Sequence, residues 1–136
     1  MKAIKEVKTP AELAILLIGA DAKPITTGGP YTKIVFSLRP WELTKGTVAS
    51  TFNLKVSTVV PDIFEKFPLV QDIEIHGTMN FKDMRGNVRE DDGVWVAFSR
   101  NNSATIKWQN IDRENIVQLS DRNWVHPAMR EAFAVR

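Results

Sequence analysis

The chain contains no cysteine. This absence excludes disulfide bonds, thiolate zinc sites, iron–sulfur clusters and cysteine nucleophiles, although it leaves the cellular compartment open. The sequence also has no run of about 20 apolar residues, which a membrane-spanning helix needs. A strong excess of one charge is missing too, because the 18 lysines and arginines outnumber the 16 aspartates and glutamates by only two. The resulting pI near 9.0 raises the expectation of a nucleic-acid partner only slightly.

Signatures of catalysis and of cofactor binding are missing as well. Gly28-Gly29 lacks the spacing of a phosphate-binding loop, and there is no GxSxG motif. The two histidines do not show HxH or HExxH spacing. The acidic stretch Glu90–Asp92 with Asp83 does not follow the calcium-loop pattern, because Arg85 stands where a ligand would be needed. We therefore predict no cofactor and no metal, and a solvated hairpin tip for this charged segment.

What is present fits a small globular domain. The chain has 136 residues, of which 43% are hydrophobic and 25% charged. This size predicts a single domain over residues 1–136, with enough apolar material for a core. The first 22 residues combine early lysines, a short apolar run and Ala20-Asp21-Ala22, which is typical of a cleavable export signal. Glu6 and Glu12 disfavour that reading, so we expect a retained first helix and a cytoplasmic protein, with export to the periplasm as the alternative.

The segment from Val70 to Trp108 is predicted to be the structural centre. Strand-like runs with turn residues between them occupy 70–81, 94–100 and 104–108, which predicts a β-meander, and a further strand is predicted over 31–38. In the first run, apolar residues from Ile73 to Phe81 alternate with Glu74, His76, Thr78 and Asn80. This alternation predicts one face in the core and one facing water or a partner.

Helices are expected around this sheet. Thr9 and Pro10 are typical of a helix start, and Gly19 of its end. Residues 45–59 fit the helical period slightly better than a strand, and Pro61 suits the first turn of a shorter helix to Phe67. Residues 23–30 are predicted to form a loop, 110–119 a helix or a short strand with a turn, and 127–135 a final helix. The predicted fold is therefore α+β, an antiparallel sheet of about four strands with helices packed mainly on one face.

Two groups of residues are candidates for function. His76, flanked by Glu74 and Thr78 on the polar side of a strand, occupies a position that a general base or a metal ligand would use. Four tryptophans lie close in sequence to cationic residues, an arrangement typical of single-stranded nucleic-acid binders. Trp95 and Trp108 are expected in the core, which leaves the following aromatic and cationic residues as candidates: Trp41, Trp124, Arg100 and Lys107.

These observations favour a small, non-catalytic interaction or assembly module that acts through an exposed sheet face or edge. Its expected partner is another protein or a second copy of the chain. The first alternative is single-stranded nucleic-acid binding through Trp and Arg side chains, although no RNP-type motif is present. The second is a small hydrolase or isomerase with a cavity in a cone-shaped α+β fold, using His76 or an acidic residue. The absence of a nucleophile pattern makes an enzyme the less favoured prediction.

Overall fold

The computed structural model describes residues 8–18, 23–26, 30–38 and 45–133, with the backbone alone for 23–26 and 45–47. The helices are α1 (Pro10–Ile18), α2 (Lys45–Lys66), α3 (Arg100–Thr105) and α4 (Ile116–Leu119). The strands are β1 (Lys23–Thr26), β2 (Tyr31–Ser37), β3 (Asp72–Lys82), β4 (Val88–Ser99) and β5 (Arg122–Val125). Two 3-10 turns occupy Arg113–Asn115 and Pro127–Met129. Within the described ranges, no helix has the length and apolarity needed to cross a membrane.

The strands form one sheet in the order β1-β2-β3-β4-β5. Three neighbouring pairs are antiparallel, but β2 and β3 run parallel, from Tyr31 beside Asp72 to Ser37 beside Thr78. The prediction of an antiparallel sheet is therefore wrong for this pair, while the α+β class is confirmed. The reason is the connection, because α2 carries the chain back to the end of the sheet at which β2 began, as parallel neighbours require.

Helix α1 begins as predicted. The side-chain oxygen of Thr9 accepts a hydrogen bond from the backbone N–H of Glu12 at 3.1 Å, and Pro10 is the first helical residue. The cap satisfies an amide that the helix itself leaves without a partner, and the proline has no amide to satisfy.

Helix α2 is continuous across the stretch that fitted two structures. The helical prediction for 45–59 is confirmed, but the separate helix from Pro61 to Phe67 is not, because Pro61 lies inside the 22-residue helix. An interior proline costs about 3 kcal/mol, since it removes one helical hydrogen bond. Each fully buried apolar side chain contributes roughly 1.5–3 kcal/mol. Burial therefore outweighs the proline, through these side chains of α2: Val48, Phe52, Val56, Val59, Val60 and Ile63.

The predicted strand 104–108 is wrong, because the chain turns into helix α3 at the end of β4. The hydroxyl of Ser99 accepts a hydrogen bond from the N–H of Asn102 at 3.1 Å and so caps this helix. The indole N–H of Trp108 then reaches the carbonyl of Ser103 at 3.2 Å, and its ring packs edge-on against Phe98. Capping and aromatic packing thus override the alternation of the short segment.

The ends of the sheet also differ from expectation. Strand β1 lies inside the predicted loop 23–30, and β5 lies between the elements predicted over 110–119 and 127–135, where no strand was predicted. The helix expected over 110–119 is reduced to a 3-10 turn followed by the four residues of α4. Of the helix predicted over 127–135, Pro127–Met129 form a 3-10 turn, and residues 134–136 lie outside the described residues. Each of these elements is short, so local sequence preference has little weight there.

One face of the sheet carries the core, which we call the core face. Register partners share a face, and the partners of Ile75 are Ile34 on β2 and Val96 on β4, all at most 1% exposed. The ring of Phe52 on α2 stacks on Phe36 at 5.8 Å and thereby places this helix against the core face. The predicted alternation along β3 is confirmed, since these apolar members are buried: Ile73, Ile75 and Met79.

The side chain of Arg100 holds three parts of the fold together. Its guanidinium donates to the backbone carbonyls of Phe64 at 2.9 Å, Phe67 at 2.7 Å and Val70 at 2.8 Å. It also lies 4.9 Å from the centre of the Phe64 ring. These contacts join the end of α2 and the approach to β3 to the residue that follows β4. They satisfy carbonyls that a helix end leaves without partners.

We expect Arg100→Ala to lower the free energy of unfolding by about 3 kcal/mol, because three carbonyls lose charge-assisted hydrogen bonds at once. Arg100→Lys should recover only part of this loss, since an ammonium group cannot present three separated donors in a plane. Urea unfolding followed by circular dichroism measures both. The matched control is Arg122→Ala, which breaks an exposed ion pair and should cost less than about 1 kcal/mol. Equal losses in Arg100→Ala and Arg122→Ala would contradict this assignment.

Candidate functional site

The second face of the sheet carries polar and aromatic side chains, and we call it the polar face. Its central row runs across four strands, from Val35 through His76 and Trp95 to Trp124, because these residues are partners in register. The ring of His76 stacks on that of Trp95, with 5.7 Å between ring centres and 24° between planes. Two of the three aromatic rings in this row therefore form one continuous surface.

A register shift in the β3–β4 pair brings an aspartate to this face. Gly77 pairs with Val94, whereas the next residue, Thr78, pairs with Asp92, so Gly93 is the extra residue of a β-bulge. Without the bulge, two-residue alternation would put Asp92 on the same side as Val94, toward the core. The bulge shifts the alternation by one residue, so Asp92 lies on the polar face with its carboxylate toward His76.

His76 is held between two carboxylates. Its Nε2 lies 2.6 Å from Oε2 of Glu74, and its Nδ1 lies 3.0 Å from Oδ2 of Asp92. The residue is only 7% exposed although it belongs to the polar face. A buried imidazole needs partners for its nitrogens, and here both nitrogens have one.

Glu74 extends the hydrogen-bonded chain to a third strand, because the Tyr31 hydroxyl also bonds to its carboxylate. Burial acts to raise the pKa of Glu74, but the hydrogen bonds from His76 and Tyr31 and the nearby charges outweigh burial and lower it. Burial raises the pKa of Tyr31 to about 12, with the hydrogen bond to Glu74 and its charge adding to the effect. We call these four residues the His76 network: Tyr31, Glu74, His76 and Asp92.

The lowered pKa of Glu74 determines where one proton of the network lies. An ionised carboxylate only accepts hydrogen bonds, so the 2.6 Å contact requires a proton on Nε2 of His76. When the ring also carries a proton on Nδ1, it donates to Asp92 as well and is a cation between two anions. The neutral ring can serve only one of the two carboxylates as a donor.

Four of the sequence-predicted site residues meet on the polar face. Glu74 and His76 belong to the network, and Trp124 lies opposite Trp95 with 40% of its surface exposed. Thr78 follows His76 on the same side and donates its hydroxyl proton to the carbonyl of Phe36 at a long 3.4 Å. These residues come together as the alternation of β3 predicts.

The other three predicted residues do not join them. The guanidinium of Arg100 donates its hydrogen bonds to backbone carbonyls at the end of α2, away from the polar face. Lys107 is exposed in the turn after α3, where its carbonyl accepts from the N–H groups of Asn110 and Ile111. Trp41 lies outside the described residues.

Tyr31, Asp92 and Trp95 are polar-face residues that sequence reasoning missed. Trp95 was expected in the core because its run Val94–Ser99 is apolar, yet it is partly exposed beside His76. A signal for Asp92 is present, since a glycine inside a strand pattern often marks a bulge, but the predicted strand starts at residue 94 and leaves Gly93 outside it. Tyr31 carried no comparable signal, because its position beside β3 depends on the parallel pairing.

Beyond the bulge, β3 and β4 continue as a two-stranded hairpin that we call the arm, residues 78–92. Strand β2 pairs with β3 only as far as Thr78, and β5 pairs with β4 only as far as Val94. Met79–Lys82 adds about 13 Å of strand beyond that point. The tip is closed by Asp83, whose carboxylate accepts the N–H groups of Arg85 and Asn87, and by Gly86 at φ 85°. The hairpin tip predicted for the charged segment is confirmed at Asp83, but Glu90–Asp92 lie in strand β4 and not in the tip.

Two apolar side chains of the arm are exposed and lie outside the core. Met84 is fully exposed and Val88 is 64% exposed. Along the arm, a cleft of about 470 Å³ is lined by Phe81, Arg89 and His126, among others. The His126 ring stacks on Phe81, with 3.9 Å between centres and 11° between planes. The arm thus has an aromatic contact at Phe81 and leaves Met84 and Val88 exposed.

The geometry does not suit metal binding in the part of the chain that the structure describes. No group of three or more His, Asp or Glu side chains there is placed to hold a metal ion. The two carboxylates of the network lie on opposite sides of the His76 ring, so they do not converge on one point.

No known protein family, curated protein or solved structure gives a significant match to this chain. The function must therefore be inferred from the polar face and the arm themselves.

The ionisation of Tyr31 tests the His76 network directly, because Tyr31 is the only tyrosine in the chain. Its ultraviolet absorbance should titrate with a midpoint near 12 in the folded protein and near 10 after unfolding. The folded state keeps the proton over a pH range in which the unfolded state loses it. Stability should therefore fall as the pH rises from 10 toward 12.

Glu74→Gln should lower this midpoint, since the charge of Glu74 opposes ionisation of the phenol. The matched control is Glu90→Gln on the exposed part of the arm, which should leave the midpoint unchanged. A midpoint that is the same in Glu74→Gln and in the wild type would show that Tyr31 and Glu74 do not interact.

Proposed function

We propose that this protein is a small, non-catalytic interaction module whose contact surface is the arm with the adjoining exposed part of the polar face. The observation that carries the proposal is the exposure of Met84 and Val88 at the end of a hairpin that extends beyond the other strands. Exposed apolar side chains on a projecting element cost solvation free energy in the isolated chain and stabilise a complex when they are covered.

The composition of the polar face supports the same proposal. Tyr, Trp and Arg are enriched where protein interfaces hold most of their binding energy, and the face offers Tyr31, Trp124 and Arg122. Several of its charges are paired within the chain, since Arg122 contacts Asp72 at 2.8 Å and the carboxylates of the network contact His76. A partner can therefore cover these paired groups without desolvating an unpaired charge.

Two further proposals concern the packing of the helices and the cellular location of the protein. We propose that the helices pack mainly on the core face, which is supported by the stacking of Phe52 on Phe36. We keep the cytoplasmic location as a proposal, with export as the alternative, and the mass of the mature N-terminus distinguishes them.

A photo-crosslinking amino acid at Val88 tests the arm. When it is introduced into the full chain in the cells that make this protein, we expect a discrete adduct with another protein or with a second copy. The control is the same amino acid at Leu69, which is 85% exposed but precedes the other end of β3. An adduct that forms equally from both positions, or from neither, would contradict the proposal.

The variant Met84→Lys with Val88→Lys should reduce the arm adduct, detected by a crosslinker at Arg85 between them. Leu69→Lys serves as its matched control, because it also replaces an exposed apolar residue by a cation. Circular dichroism should show both variants folded, since these side chains are outside the core. Loss of the adduct in the Leu69 variant alone would place the contact elsewhere.

Nucleic-acid binding is the weaker alternative on electrostatic grounds. Trp124 is exposed and Arg122 precedes it, but the polar face also holds the carboxylates of Asp72, Glu74 and Asp92. Carboxylates repel phosphates, and single-strand binding depends on a positively charged groove. We therefore expect short oligonucleotides to leave the tryptophan fluorescence unchanged at low and at high salt. Quenching at low salt that disappears at high salt would favour this alternative instead.

The enzyme alternative has one observation on its side, the placement of His76 between Glu74 and Asp92. Acid–base chemistry needs a ring nitrogen within hydrogen-bonding reach of a substrate. Both nitrogens of His76 are used inside the protein, and the residue is 7% exposed. The cleft beside the arm is lined by His126 and not by His76. These points make the hydrolase or isomerase proposal the least favoured of the three.

A further inference from the structure

Both histidines of the chain contact the arm. On the polar face, His76 contacts Asp92, the last residue of the arm before the bulge. The ring of His126 stacks on Phe81 in the outer part of the arm, and its backbone N–H donates to the carbonyl of Gly93 at 2.9 Å. The arm is therefore contacted at two places by histidine, the side chain whose charge changes most readily near neutral pH.

The two contacts of His76 are unequal. The Nε2 contact to Glu74 is the shorter, at 2.6 Å against 3.0 Å for Nδ1 and Asp92. Glu74 is ionised and also accepts a hydrogen bond from Tyr31, so its contact with Nε2 of His76 still requires a proton on that nitrogen. When the ring becomes neutral, Nε2 retains the single proton and Nδ1 presents a lone pair to the Asp92 carboxylate. That contact then changes from a hydrogen bond to a repulsion.

We infer that the protonation state of His76 sets how tightly the arm is held to the sheet. The charged ring donates to Asp92 and fixes the first arm residue beside the bulge. The neutral ring releases Asp92 while the core pairing of Ile75 with Ile34 and Val96 stays intact. This coupling goes beyond the proposed interaction module, since it holds whether or not the arm binds a partner.

Among the described residues, charged and titratable groups surround His76 on its own strand and on three others. Glu74 lies on its own strand, and Asp92 lies on β4. From β2, Tyr31 and Lys33 act on Glu74. On β5, Arg122 is paired with Asp72, two residues before Glu74. Asp92 alone among these groups belongs to the arm, so the link between ring charge and arm position passes through this carboxylate.

His126 must be separated from this effect, because it responds to protonation in the opposite sense. Its Nδ1 accepts the N–H of Ala128 at 3.0 Å, and a proton on Nδ1 would break that cap. Arg89 and Asp91 line the cleft beside it, and Lys82 and Asp83 complete its charged lining. The variant His126→Asn keeps a capping oxygen at this position and removes the titration.

Nuclear magnetic resonance tests the inference on the full chain in the His126→Asn background. The ring nitrogens of His76 are followed through their titration, together with amide exchange along the arm corrected for the intrinsic effect of pH. We expect the neutral ring to be the Nε2–H form. Arm amides should lose about fivefold in protection as it forms, the equilibrium equivalent of one net hydrogen bond. Amides of Ile75 and Val96 should keep their protection.

The deciding variant is Asp92→Asn, because an amide can accept from or donate to Nδ1 and so contacts both forms of the ring. We expect its arm protection to be independent of His76 titration. Asp91→Asn is the matched control, since Asp91 pairs with Met79 on the other side of the arm and contacts Arg89. It should retain the wild-type response. An unchanged response in Asp92→Asn, or a His76 titration without any change in arm exchange, would overturn the inference.

Discussion

One extra residue in β4 decides how the polar face of this protein is built. Side chains along a strand alternate between the two faces of the sheet. A one-residue bulge at Gly93 therefore places the β4 residues on its arm side on the face opposite to the one they would otherwise occupy. The exchange gives His76 its second carboxylate, Asp92, on the polar face. It also marks the point where the sheet narrows from five strands to the two of the arm. A side chain at this point would meet the sulfur of Met79, which lies 2.6 Å from the position of an added Cβ, so glycine suits the bulge.

A second constraint comes from the parallel pairing of β2 and β3. It requires a long crossover, and α2 provides one whose buried stripe offsets the cost of Pro61. Arg100 then fixes the end of this helix by donating to three carbonyls. The crossover sets the register of Tyr31 beside the start of β3, and so places a phenol within reach of Glu74. The polar network thus depends on a helix on the far side of the sheet.

The polar face shows how buried polar groups are tolerated. An imidazole with 7% exposure is costly unless its nitrogens are paired, and the neighbouring strands each supply a partner directly or through Glu74. The same pairing removes free charge from the surface, which suits contact with a protein better than contact with phosphates. The arm adds exposed apolar groups beside it. The inferred link between His76 and Asp92 would connect the charge of the network to the position of the arm.

The elements whose signal is periodic, or is carried by capping and turn residues, follow from the sequence. These are the helix start at Thr9, the helix over 45–59, the alternation of β3 with Glu74 and His76 on one side, and the turn at Asp83. Tertiary structure alone decided the parallel pair, the continuity of α2 through Pro61, the turn into α3 and the edge strand β5. It also decided which residues join the His76 network, because Tyr31 and Asp92 are 45 and 16 positions away from His76 along the chain. Local patterns report which way a side chain points, but they do not report which strand lies beside it.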